Sequence, residues 1–139
     1  MSEKIFHSHN TLKSVRHSIT EIEPILADLR SKFAIDDTIF YNIMIAVTEA
    51  VNNAINHGNK LDPSKDVQFN VEADKDMIYI YVKDEGKGFN PQEIDDCLEP
   101  ENLLKASGRG VFIIRELMHE VKIRSNSEGT VVEMKYFFK

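Results

Sequence analysis

Glu49 and Asn53 stand four positions apart in the run Thr48-Glu49-Ala50-Val51-Asn52-Asn53-Ala54-Ile55-Asn56-His57-Gly58. On a helix that spacing stacks a carboxylate and a carboxamide on one face, about 6 Å apart along the axis. Ile43, Ala46, Val47, Ala50 and Ala54, with Met44, Val51 and Ile55 beside them, give the same helix a broad apolar surface. A polar pair at the edge of a packed face needs a partner, and a Mg2+-bound phosphate is one such partner. The plain alternative is a solvated pair, which many helices carry.

Two further clusters could do chemistry. Asp84-Glu85-Gly86-Lys87-Gly88-Phe89 ends an apolar, alternating stretch with Asp-x-Gly-x-Gly. Taken alone it is a strand-ending turn, with glycine supplying the backbone freedom. As a site, the strand delivers Asp84 to a pocket wall, where its carboxylate can accept a hydrogen bond from an exocyclic amine such as that of adenine. The glycines then let a planar ring approach the backbone. Ser107-Gly108-Arg109-Gly110 precedes the helical stretch Val111–His119. A Gly-x-Gly opening a helix presents backbone N–H groups and the positive dipole end to an anion, and Arg109 can add a phosphate contact. Neither cluster matches a P-loop or a dinucleotide-binding fingerprint.

The elements that must position these groups follow from periodicity. Lys4–His9 reads as a short edge strand, and Thr11–Phe33 as helical, kinked or divided near Pro24, with Ser18 and Glu21 at capping-box spacing. Asp36-Asp37-Thr38 supplies cap chemistry for a helix to about Asn56, with Gly58 in its C-cap region. Val67, Phe69, Val71 and Ile78, Ile80, Val82 alternate about Asp74-Lys75-Asp76, giving one hairpin; Val121–Asn126 and Thr130–Phe138 give another about Ser127-Glu128-Gly129. Glu85 to about Gly108 is irregular, with short helical turns expected at Pro91–Leu98 and Glu101–Ala106, and a helix from about Gly110 to His119 follows. Such a long excursion is usually functional or mobile. Helices early and hairpins late predict an α+β fold, helices packed on one sheet face.

With 139 residues, 42% hydrophobic and 29% charged, the chain reads as one globular domain, 1–139. No apolar run reaches membrane-span length and Met1–Asn10 has no signal-peptide pattern, while the single Cys97 excludes an internal disulfide; a cytoplasmic setting is expected. A net charge of -6 argues against binding nucleic acid through its phosphates, a local basic patch aside.

The order of the pieces narrows the reading. Glu-x-x-x-Asn on a helix, strand-Asp-x-Gly-x-Gly, a lid-like excursion, Gly-x-Gly-helix and a late strand at Gly129-Thr130 together resemble the ATP-binding domain of the GHKL superfamily. Glu49-Ala50-Val51-x-Asn53-Ala54-Ile55-x-His57-Gly58 and Gly108-Arg109-Gly110-Val111-Phe112-Ile113-Ile114 are most similar to its anti-sigma-factor serine/threonine kinase branch. The resemblance implies a two-layer α/β sandwich of Bergerat type, with a mixed, mostly antiparallel sheet. It implies ATP and Mg2+ as cofactors, Asn53 as Mg2+ ligand and Glu49 as the residue that orients or deprotonates the attacking hydroxyl. Asp84 would meet the adenine amine, with Gly86 and Gly88 shaping that pocket and Thr130 supporting it. Gly108, Arg109 and Gly110 would hold the phosphates under a lid over Phe89–Ser107. The implied partners are a sigma factor and a STAS-type anti-anti-sigma protein, and a homodimer is expected.

Two rivals remain at this stage: a non-catalytic module whose partner affinity is set by nucleotide, and the ATPase half of a histidine kinase acting in trans. Intact Glu49 speaks against the first, and the lack of a phosphoacceptor-helix hairpin against the second. His57 reads as a cap or supporting residue, Cys97 as inert, and Val111–Ile114 as core. Asn52 and Asn56 either help at the site or face solvent. His7 and His9 share one side of a strand, and with no third ligand in view they read as exposed polar positions.

Overall fold

The computed structural model describes residues 5–86 and 106–138, the side chains of 106–109 excepted. In chain order these form β1 (Phe6–Lys13), a 3-10 helix (Arg16–Glu21), α1 (Ile22–Phe33), α2 (Asp37–Asn53) and a π-helical turn (Ala54–Gly58). There follow β2 (Asp66–Ala73), β3 (Met77–Lys83), α3 (Ala106–Leu117), β4 (Glu120–Asn126) and β5 (Gly129–Phe137). The strands make one sheet in the order β1-β2-β3-β5-β4, every neighbouring pair antiparallel.

Alternation sorts the two faces of this sheet. Val67, Phe69 and Val71 of β2, Ile78, Ile80 and Val82 of β3, and Met134 of β5 are buried in one core with Ile22, Leu26 and Leu29 of α1. Phe40, Ile43, Ala46, Val47, Ala50 and Val51 of α2 and Ile114 of α3 complete it. Fully burying side chains of this size contributes about 1.5–3 kcal/mol each over leaving them exposed. The opposite face carries His7, His9, Glu72, Lys83, Lys122 and Arg124, all exposed. The architecture is therefore α+β in two layers, as expected. No helix among the described residues is long and apolar enough to cross a membrane.

Two expectations about elements need correction. β1 runs on to Lys13, so Thr11–Lys13 is strand rather than helix; it pairs from Phe6↔Ala73 through Lys13↔Asp66. The inward positions Ser8 and Asn10 are polar and hide the alternation. Asn10 satisfies its amide on the Phe69 carbonyl at 3.1 Å and on Ser8 Oγ at 2.9 Å. Next, the stretch after β1 is a 3-10 turn running directly into α1, and Ser18 forms no capping box: it is buried, and no side chain caps either helix start. Pro24 lies in the first turn of α1, where its missing N–H is no loss. Gly58 lies in the C-cap region as expected, closing the π turn, and the left-handed conformation falls on Lys60 and Leu61, with φ of 52° and 59°.

The start of α2 behaves as its sequence dictates: the Asp36 carboxylate accepts the Thr38 N–H at 3.0 Å. Arg30 reaches from α1 to an ion pair with Asp37 and lies over the Phe40 ring at 4.7 Å, joining the two helices. Between them Ala34 caps α1 with φ of 50°, a conformation that crowds Cβ against the backbone. Ala34→Gly should raise unfolding stability by about 0.5–1 kcal/mol, part of the strain relief being offset by glycine's larger unfolded entropy. Urea denaturation of the two proteins checks this, and a lower midpoint in the variant would contradict it.

Candidate functional site

β3 ends at Lys83, and the next residue places a carboxylate where three segments meet. Asp84 is buried, and its Oδ1 accepts the Gly86 N–H at 2.9 Å and the Thr130 N–H at 3.1 Å. The Asp84 N–H in turn donates to the Thr130 carbonyl at 3.0 Å, extending the β3–β5 ladder one step past Lys83↔Val131. The Asp84 carboxylate lies so close to Gly58 that a Cβ there would overlap it. Gly86 sits equally close to the Gly58 carbonyl, and Gly129, with φ of +145°, to the Asp84 carbonyl. These glycines are needed for close approach: backbone and carboxylate fill the space a side chain would take. Burial, the largest influence, pushes the Asp84 pKa above its ordinary value, against the two backbone N–H bonds and the Lys65 charge.

Behind Asp84 a second buried polar residue fastens the corner. Asn59 donates from Nδ2 to Ser14 Oγ at 2.7 Å and to the Asp66 carbonyl at 3.0 Å, and its Oδ1 accepts the Glu85 N–H at 2.7 Å. The Ser14 hydroxyl in turn donates to the Lys65 carbonyl at 2.6 Å. One carboxamide thus ties the end of β1, the start of β2 and the segment after β3 to the π turn. The sequence around Asn59 carries no local signal of this role; Asn59 is 1% exposed, whereas the neighbouring His57 is exposed.

The π turn itself is the irregular end of α2: the Asn59 N–H reaches back five residues to the Ala54 carbonyl at 2.8 Å. Such turns gather at functional sites. On it, Asn56 Oδ1 is buried and has no hydrogen-bond partner among the described residues.

One helical turn earlier, Glu49 and Asn53 face the beginning of α3. A Cβ on Gly110 would lie 3.0 Å from Glu49 Oε2 and 2.9 Å from Asn53 Nδ2. The predicted pair therefore does converge with the glycine-bearing segment, and Glu49 and Asn53 are both partly exposed. The helix, however, begins at Ala106 rather than Gly110. Gly108 and Arg109 thus lie inside its first turn, where the backbone N–H groups still lack intrahelical acceptors. Ser107 belongs to this helix and not to the excursion before it. Gly88, Cys97, the helical turns expected at 91–98 and 101–105, and the rest of the expected lid lie outside the described residues.

The structure thus assembles two poles along one helix. Asp84, Gly86 and Thr130 form a buried acceptor with tightly packed glycines at its C-terminal end. Glu49, Asn53 and Gly110 meet one turn before it. The chain belongs to the histidine kinase-like ATPase domain family, whose model matches residues 11–136. Within curated proteins it is 36% identical over 97 residues to an anti-sigma F factor of Anoxybacillus flavithermus, covering 66% of this chain and 65% of that protein. It is 31% identical over 101 residues to the serine-protein kinase RsbW of Bacillus subtilis, covering 68% and 63%. The chain thus spans slightly less than two thirds of the length of these relatives. Its fold is similar to the crystal structure of the RsbU and RsbW domains of a Mycobacterium tuberculosis protein. That match has a TM-score of 0.70 at 17% identity over 94% of this chain and 32% of the other.

The raised pKa of Asp84 has a consequence for stability. A carboxyl that binds its proton more tightly when folded adds stability below its unfolded pKa, and loses it as pH rises through the folded value. The ionised form of Asp84 therefore supports the fold less than the protonated form does. Asp84→Asn keeps an oxygen for both N–H donors and does not titrate, so its melting temperature relative to wild type should climb as pH rises from about 4 to 7. Thermal melts across that range test the sign, and a gap that shrinks with pH would refute it. Gly58→Ala should instead destabilise at every pH, by about 2 kcal/mol or more, because its Cβ meets the Asp84 carboxylate.

Proposed function

We propose that the chain is a Mg2+-dependent, ATP-using serine/threonine kinase that acts as an anti-sigma factor. In this reading it phosphorylates a STAS-type anti-anti-sigma partner and holds a sigma factor while that partner is phosphorylated or absent. The observation that carries the proposal is the meeting of Glu49 and Asn53 with Gly110 at the first turns of α3. The names of the curated relatives, an anti-sigma factor and a serine-protein kinase, support the same reading.

The residues present fit such a ligand. Glu49 and Asn53 offer hard oxygens of the kind Mg2+ prefers, and the missing Cβ of Gly110 leaves room between them and the α3 backbone. The Mg2+ would neutralise phosphate charge, which is most of what phosphoryl transfer requires beyond positioning. Asn53 is assigned to hold the ion, and the N–H groups of the first α3 turn, including Gly108, to receive phosphate oxygens, with Arg109 beside them. Glu49 orients the incoming hydroxyl or takes its proton. At the other pole Asp84 accepts from the adenine amine, while Gly86 and Thr130 hold the carboxylate in place through their N–H groups. The unpartnered Asn56 oxygen is one more acceptor that a bound donor would satisfy. A homodimer is expected for this branch, and the charge of -6 suits protein partners rather than nucleic acid.

Calorimetry with ATP, with and without Mg2+, is the deciding measurement. Wild type should bind with strong Mg2+ dependence, and Asn53→Ala should weaken binding about tenfold or more. Absence of binding by folded wild type would sink the proposal. Glu49→Gln should retain nucleotide yet transfer phosphate to a purified STAS partner about 10²–10⁴-fold more slowly. Retained affinity with normal transfer in that variant would remove Glu49 from its role.

A further inference from the structure

His7 and His9 alternate on the exposed face of β1, the side away from the helices. The register places Glu72 of β2 directly opposite His7 and beside His9 on the same face. The third ligand absent from the local sequence thus comes from a strand about sixty residues later. One ligand atom from each of the three side chains can be chosen such that all lie within 4.8 Å of one another. His9 Nε2 and Glu72 Oε1 are already 3.5 Å apart. Two donors bound at about 2.1 Å to one tetrahedral ion are about 3.4 Å apart, so this pair needs almost no adjustment to share a metal. The His7 and His9 rings stand with centroids 6.4 Å apart and nearly perpendicular.

We propose that His7, His9 and Glu72 form a binding site for a divalent transition metal, Zn2+ being the ion best matched to two imidazoles and one carboxylate. The donor set is nitrogen-rich, which favours Zn2+, Ni2+ or Cu2+ over Mg2+ or Ca2+. Three protein ligands leave a coordination position open. A groove of about 300 Å3, bordered by His7, Glu72, Asp74 and Tyr79, gives that position access to water or to an anionic ligand. The site is independent of the nucleotide proposal, because it lies on the opposite face of the sheet. The ion would clip edge strand β1 to β2, so occupancy raises stability as any ligand of the folded state does.

Zn2+ titration of the intact chain without nucleotide, by calorimetry, tests the assignment. Wild type should take up one Zn2+ at this site with micromolar affinity and melt at a higher temperature in its presence. The His7→Ala/His9→Ala double variant should lose that binding, and Glu72→Gln, nearly isosteric, should weaken it about tenfold or more. All three positions face solvent, and circular dichroism confirms that each variant is folded. No Zn2+ uptake by wild type, or equal affinity in wild type, the double variant and Glu72→Gln, overturns the proposal.

Discussion

The rest of the structure depends on one buried carboxylate held by backbone. Asp84 accepts N–H groups from Gly86 and Thr130 while its own amide extends the sheet, so the end of β3, the start of β5 and the end of α2 share a single anchor. No side chain intervenes at these contacts. Their closeness is set by Gly58, Gly86 and Gly129, and each would overlap a neighbour if it carried a Cβ. A buried charge of this kind is costly unless hydrogen-bonded, and Asp84 has its bonds from main chain, which moves less than side chains do. The cost in stability and the fixed geometry are two aspects of the same arrangement.

α2 transmits that anchor to the other pole. Its alanines and valines face the core, its Glu49 and Asn53 face α3, and its last turn relaxes to π geometry where it meets Asp84. A helix packed this fully cannot shift along its axis without disturbing Ala46, Ala50 and Ala54 together. The separation between the acceptor pole and the pole at Glu49 and Asn53 is therefore fixed by core packing, before any ligand arrives.

Much of this was legible in the residues. The two hairpins and the α2 start at Asp36 follow from alternation and capping chemistry, while the convergence of Glu49 with the Gly110 segment is what the family resemblance implies. What stayed hidden had physical causes. β1 looked shorter because its inward Ser8 and Asn10 break the apolar alternation, and they are satisfied only by cross-strand partners that sequence cannot show. Gly58 reads from the sequence simply as a glycine near a helix end. Here its role is set by a residue twenty-six positions later in the chain, Asp84. Asn59 gave no local sign of importance, since its bonds to Ser14, Asp66 and Glu85 exist only once three strands are in place.

The register of β1 also bears on how the molecule assembles. The β2–β3 and β4–β5 pairs join neighbours in sequence and close over short turns. β1, by contrast, meets β2 only across the whole of α1 and α2. Loop-closure entropy makes such distant pairing slow relative to hairpin formation. The edge strand is then the late-forming part of the sheet, and the speed at which the chain becomes native is governed by how soon the two early helices bring its ends together.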